Sequence, residues 1–114
     1  MFATNNRTPI INGYYQATVN GTAQTILQLC GLTFLPKGTN VCLIQVEHDN
    51  TLTSDNLAVR YREDTGTPTA DLGFIMELGG YREFTNKEQI ADTKIISADS
   101  GNSVKINIQF YKGN

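Results

Sequence analysis

Leu57–Leu78 reads LAVRYREDTGTPTADLGFIMEL, and its pattern decides the fold. In the first half Leu57, Val59 and Tyr61 fall on one face and Ala58, Arg60 and Arg62 on the other, the period-2 signature of a strand with one buried side. Glu63-Asp64-Thr65-Gly66-Thr67-Pro68-Thr69 follows, a run with one Gly, one Pro and three Thr. Neither a helix nor a ladder strand tolerates that mixture, so it is a loop. Apolar alternation resumes at Leu72, Phe74, Met76 and Leu78, with Glu77 facing outward. Strand, structured loop and strand together predict a β-hairpin.

Working outward, the same pattern recurs on both sides. Gly79-Gly80 is a turn, Tyr81–Phe84 a short edge strand, and Thr85–Gln89 has the composition of a single helical turn. Thr93–Ala98 is a strand and Asp99–Asn102 a turn. In the last strand Val104, Ile106, Ile108 and Phe110 alternate with Lys105, Asn107, Gln109 and Tyr111. Upstream, Val41–Glu47 (VCLIQVE) is apolar almost throughout, as in a central strand. Pro36–Thr39 is a turn, and His48–Asn56 is a polar loop. Tyr14–Val19 reads as a strand followed by Asn20-Gly21, the strongest short hairpin signal. Thr22–Cys30 is then the returning strand. A short amphipathic helix is the alternative there because Leu and Gln favour helix, while the flanking Thr and Gly favour the strand.

About eight short strands, turn signals between them and no long helix predict an all-β chain. No βαβ rhythm is present, so the expected architecture is an antiparallel β-sandwich of jelly-roll type, with a closed barrel as the alternative. The chain has 114 residues, which suits one domain: a polar N-terminal arm over residues 1–12 and a single β-sandwich over residues 13–114.

A net charge of −2 with scattered Lys and Arg lacks the basic footprint of a nucleic-acid binder. No apolar run is long enough for a membrane helix, and the first residues lack the apolar core of a secretory leader. Cys30 and Cys42 lie in apolar runs and read as buried free thiols.

Few residues suggest catalysis. His48 is the sole histidine and sits beside Asp49. A nucleophile–His–acid set would have to use it, but an ion pair accounts for the same two residues. Zinc would need a second His or a cysteine pair at short spacing. Glu47, Asp49, Asp55, Glu63, Asp64 and Asp71 can be paired on paper as glycosidase acids, although solvated loop carboxylates are far commoner. Asp49–Asp55 offers oxygens for calcium without the Gly of an EF-hand loop. No enzyme activity, metal or cofactor is therefore expected.

Binding candidates are clearer. Arg60 and Arg62 share a face, suited to a partner carboxylate or to ion pairs with Glu63 and Asp64. Tyr14 and Tyr15, with Tyr81 and Tyr111, suit a sugar-stacking platform or subunit contacts. Arg60, Arg62, Tyr14 and Tyr15 are the candidate partner-contact residues.

Three runs carry a family resemblance: LPKGTNVCLIQVE (Leu35–Glu47), VRYREDTGTPTADLGFIMELGG (Val59–Gly80) and KIISADSGNSVKINIQFYK (Lys94–Lys112). Together they resemble small virion-associated proteins of tailed bacteriophages, above all in the R-Y-R…G-T-P-T-A segment. The chain departs from that pattern at Thr65, which lengthens the loop, and in a longer polar loop between Glu47 and Arg60. The resemblance implies a β-sandwich that decorates or joins parts of a phage particle and has no catalytic residues. The implied function is a capsid decoration or auxiliary head protein, with a tail or adaptor component as an alternative; the sandwich and the tyrosines add a carbohydrate-binding module as a further one. Its partners would be the major capsid protein or other virion proteins. Its location would be the virion, assembled in the host cytoplasm. A symmetric homo-oligomer is expected, with a trimer as the working stoichiometry.

Overall fold

The computed structural model describes residues 7–47, 57–98 and 103–113. His48, the oxygen-rich loop over 49–55 and the turn over 99–102 lie outside them. Among the described residues eight strands run in chain order: β1 (Arg7–Val19), β2 (Gln24–Thr25), β3 (Val41–Val46), β4 (Leu57–Arg62), β5 (Phe74–Glu77), β6 (Tyr81–Phe84), β7 (Lys94–Ser97) and β8 (Val104–Gly113). Two short helices interrupt them, α1 (Ile26–Cys30) and α2 (Lys87–Asp92). The strands form two antiparallel four-stranded sheets, ordered β1-β8-β3-β6 and β2-β7-β4-β5.

That order has a simple origin. β1 pairs with β8, β2 with β7, β3 with β6 and β4 with β5. The chain is one long hairpin, closed at its head by the β4–β5 loop and then rolled up. Rolling adds the β3–β8 and β4–β7 ladders. The result is the jelly roll, an all-β sandwich of the predicted class. The hairpin read from Leu57–Leu78 is the innermost one, and its loop is the head of the roll.

The core lies between the sheets. Val104, Ile106, Ile108 and Phe110 of β8 face it, as do Cys42, Ile44 and Val46 of β3, and all are fully buried. From the second sheet come Val59, Tyr61, Met76 and Ile95. Both cysteines are free thiols. Burial pushes the Cys30 thiol up to about 12 and raises Cys42 further, so neither is thiolate near neutral pH.

The first twelve residues do not remain apart from the sandwich where they are described. Arg7, Thr8 and Pro9 pair with Gly113, Lys112 and Tyr111 as the start of β1. The ladder then breaks between Pro9 and Tyr14, where Asn12 takes a φ of 59°.

The expected hairpin at Asn20-Gly21 does not form. β1 and β2 belong to different sheets, and neither Asn20 nor Gly21 has the positive φ that a type I′ turn requires. Instead the Asn20 side chain accepts the Thr22 N–H at 2.9 Å, and the Asn20 carbonyl accepts the Ser97 N–H at 2.8 Å. The chain bends here from one sheet to the other.

The returning strand is likewise replaced by α1. Thr25, inside the expected strand, and Gly31, just after it, are the caps of the helix. Thr25 and Gln28 form a reciprocal capping box, at 3.1 and 2.8 Å, and Gly31 ends the helix in the left-handed region at φ 71°.

Two further differences concern the hairpin itself. The β4–β5 register slips between Leu57 and Val59, which turns Ala58 into a buried position instead of an outward one. In β5 only Met76 reaches the core; Phe74 and the preceding Leu72 are exposed.

Candidate functional site

The β4–β5 loop is organised by the two arginines of β4. Arg60 Nε donates to the carbonyl of Ala70 and its Nη1 to the carbonyl of Gly73, both at 2.8 Å. A guanidinium presents a fixed fork of donors, so two carbonyls at this spacing hold the returning arm of the loop in one place. Pro68 is buried beneath that arm and packs beside Gly73. Thr69 and Leu72 close a tight turn through paired backbone bonds of 2.9 and 3.2 Å.

Arg62 serves the outgoing arm. Its Nε and Nη2 meet the two carboxylate oxygens of Asp64 at 3.0 and 2.7 Å. Asp64 also accepts the Gly66 N–H at 3.1 Å, which holds Thr65 in the left-handed region at φ 67°. The Arg62 guanidinium fills the space that a Cβ on residue 66 would need, so a side chain there would push the arginine aside. The bond to Arg62, then the one from Gly66, keeps the Asp64 carboxyl below the usual carboxylate range.

Glu63, which follows Arg62, reaches toward the other sheet. Its carboxylate takes Arg82 Nη2 of β6 at 2.8 Å and Gln89 Nε2 of α2 at 2.7 Å. The Arg82 guanidinium lies 5.3 Å from the centre of the Phe84 ring. Tyr61 sits between two phenylalanines, edge-on to Phe84 at 6.1 Å and tilted against Phe74 at 5.9 Å. This group joins the two sheets where the hairpin head leaves the sandwich. Burial raises the Tyr61 hydroxyl pKa, with Arg82 opposing and Glu63 adding.

Beside its exposed Asp and Thr side chains the head leaves three large apolar ones uncovered. Leu72 is 53% exposed, Phe74 68% and Ile75 43%. Arg62, Leu72, Gly73 and Phe74 line an open depression at the free margin of β5. Sequence reading missed these three apolar side chains as surface. A signal was present: Phe74-Ile75-Met76 are consecutive, and a strand cannot turn all three to one side.

The other candidates lie elsewhere. Tyr14 is exposed on β1 in the first sheet, where its hydroxyl donates to Asn107 Oδ1 at 2.5 Å. Tyr15 is half-buried and packs edge-on against Phe110 at 5.8 Å. Tyr81 belongs to β6, at the opposite margin of that sheet, and Tyr111 lies under the Arg7 guanidinium at 4.2 Å. The four tyrosines form no common platform, and Tyr14 and Tyr15 do not meet Arg60 and Arg62. Among the described residues no group of three or more His, Cys, Asp or Glu side chains is arranged to hold a metal, and no helix is long and apolar enough to cross a membrane.

Comparison with protein-family models, with curated proteins and with solved structures gave no match.

Proposed function

We propose that this chain is a non-enzymatic structural protein of a bacteriophage virion, of the capsid decoration or auxiliary head type. It works by docking its β5 margin and hairpin head onto protein. The observation that carries the reading is the apolar strip Leu72, Phe74 and Ile75, exposed beside a loop that Arg60 and Arg62 hold rigid. Large apolar side chains left exposed together at one sheet margin mark an interaction site. A pre-organised loop lowers the ordering cost of binding. The jelly roll is also an architecture of capsid domains, a fold-level analogy that agrees with the three resembling runs. The major capsid protein or another virion protein is the partner class.

Immunogold electron microscopy and mass spectrometry of purified particles test this. The expected result is a stoichiometric protein on the head. Labelling of the tail would move the role to a tail or adaptor component, and absence from washed particles would remove it altogether.

A carbohydrate-binding module is the second reading, favoured by the exposed Phe74 ring beside the Arg62 guanidinium, a pairing suited to a sugar face and its hydroxyls. Glycan-array binding abolished by Phe74→Ala would select it over the particle role.

A further inference from the structure

We infer that the free margin of β5 pairs with β5 of a second copy of this chain, antiparallel and about a two-fold axis through Ile75, with Arg62 of each copy meeting Glu77 of the other. The pairing names the partner of the surface on which the assembly reading above rests.

Four strands form the margins of the sandwich, and three are unsuited to further pairing. β1 carries Pro9 and a break in its ladder. β2 is two residues long. β6 presents Arg82 and Glu83, both engaged in ion pairs, to Glu63 and Arg7. Pro, bulges, short length and charge are the usual ways an edge strand is kept from pairing. Among the described residues β5 (Phe74-Ile75-Met76-Glu77) has β4 as its one neighbour in the sheet; it is short, at four residues, but Phe74, Ile75 and Met76 carry no Pro and no charge, and the slip in its ladder lies on the β4 side.

Register and charge select a second copy as the occupant. Met76 faces the core, so Ile75 and Glu77 face outward, and Arg60 lies beside Ile75 on that outer face. In an antiparallel pair, residues directly opposite share a face. A two-fold axis through Ile75 satisfies this rule: Ile75 opposes its own copy, Phe74 opposes the partner's Met76, and Gly73 opposes the partner's Glu77.

Continuing the β4–β5 register places Arg62 beside Gly73, and both line the open depression. Arg62 and the partner's Glu77 are then two strands apart, roughly 9–10 Å between backbones, with no side chain on the glycine between them. Asp64 takes Arg62 Nε and Nη2, so the contact falls to Nη1, and an arginine and a glutamate together span that gap. The two-fold makes the contact twice, and joins the two β2-β7-β4-β5 sheets into one continuous sheet. A strand that pairs with itself closes at two copies, so this margin supports a dimer in place of the trimer expected from the sequence.

Sedimentation velocity over about 1–100 µM, a range that brackets weak to moderate self-association, gives the first readout. The wild-type chain is expected to shift from monomer to dimer. Ile75→Lys places two like charges on the axis and should abolish the dimer, with circular dichroism confirming an unchanged fold. Arg62→Glu and Glu77→Lys each turn both contacts repulsive, and each variant alone should dimerise at least about tenfold more weakly. Mixed in equal amounts they restore both contacts, one as the native Arg62–Glu77 pair and the other as the same pair with its charges exchanged, so the mixture should recover a heterodimer. That recovery also distinguishes lost contact from lost folding.

A wild-type chain that stays monomeric or forms a trimer overturns the pairing, as do a dimer unaffected by the variants and a mixture that does not recover. Dimerisation in a chain missing from particles would leave the pairing standing and remove the particle role. A monomer found on the head would do the reverse.

Discussion

β1 and β5 are both margins of the same sandwich, and they are treated in opposite ways. β1 is long, with thirteen residues, yet its ladder is interrupted between Pro9 and Tyr14. Ile11 is 89% exposed but lies inside that interruption, away from any regular ladder. Gly13 is buried there, with Ile10 packed so closely that a Cβ would lie 2.9 Å from its carbonyl. β5 is short, with four residues, of which Phe74, Ile75 and Met76 are apolar; the slip in its ladder lies on the β4 side, and the loop before it is braced by Arg60. The difference teaches that protection of a sheet margin is a local property of a few residues. A margin left without it, next to a braced loop, is the first place to look for a partner.

The largest expected effect separates two rings that both touch Tyr61. Phe84 of β6 is fully buried and Phe74 of β5 is 68% exposed. Phe84→Ala should cost about 3–5 kcal/mol in urea unfolding, because it opens a cavity between the sheets, whereas Phe74→Ala should cost less than about 1 kcal/mol. Equal losses would mean that Phe74 is a core residue and that the β5 margin is not a free surface.

The next effect concerns one glycine beside each margin. Gly73 has φ 134°, and a Cβ on it would lie 3.0 Å from the Tyr61 carbonyl. Gly73→Ala and Gly13→Ala should each destabilise by about 1–3 kcal/mol, the first by backbone strain and the second by overpacking against Ile10. A negligible loss at Gly13 would show that the β1 interruption is not held by close packing.

Smaller again is the loss of the brace. Arg60→Met keeps the length of the side chain but removes both bonds to the Ala70 and Gly73 carbonyls. It should cost about 1–2 kcal/mol. Hydrogen exchange should accelerate over residues 66–73 and stay unchanged along β1. Acceleration at both margins would mean that the loop and β1 open as one unit.

The two regions also differ in how far they could be read from sequence. In β8, and in β4 beyond its bulge, the period-2 pattern led directly to the buried faces, because each is covered by the opposite sheet and the alternation has one physical cause. The loop at 63–69 was visible for a similar reason, since Gly66 and Pro68 exclude a ladder. The start of the chain was harder. Asn20-Gly21 is compatible with both a hairpin and a bend between sheets, and only long-range pairing of β1 with β8 decides between them. Thr25 and Gly31 carry information for a strand boundary and for helix caps alike, and packing of α1 on the core resolves it. Arg60 was legible as a surface cation, but its acceptors are backbone carbonyls, which no sequence pattern marks. The exposure of Phe74 follows from the place of β5 at the margin of its sheet among the described residues, which is a property of topology.

The smallest effect is electrostatic and tests the outgoing arm of the hairpin head. Asp64 is depressed first by Arg62 and then by the Gly66 N–H, and it is exposed, so its weight lies in loop order more than in global stability. A carboxyl held lower in the folded chain than in the unfolded one stabilises the fold above the unfolded pKa, and that contribution fades as pH falls through the folded value. Carbon-13 titration of the side-chain carboxyl should therefore place the Asp64 midpoint below the unfolded reference of about 3.9. Arg62→Gln should move the midpoint upward without reaching that reference, because the Gly66 N–H still favours the ionised form. A midpoint in the variant equal to the unfolded value would mean that the turn at Thr65 is held by Arg62 alone, and that the loop loses its shape whenever the arginine is drawn away toward a partner.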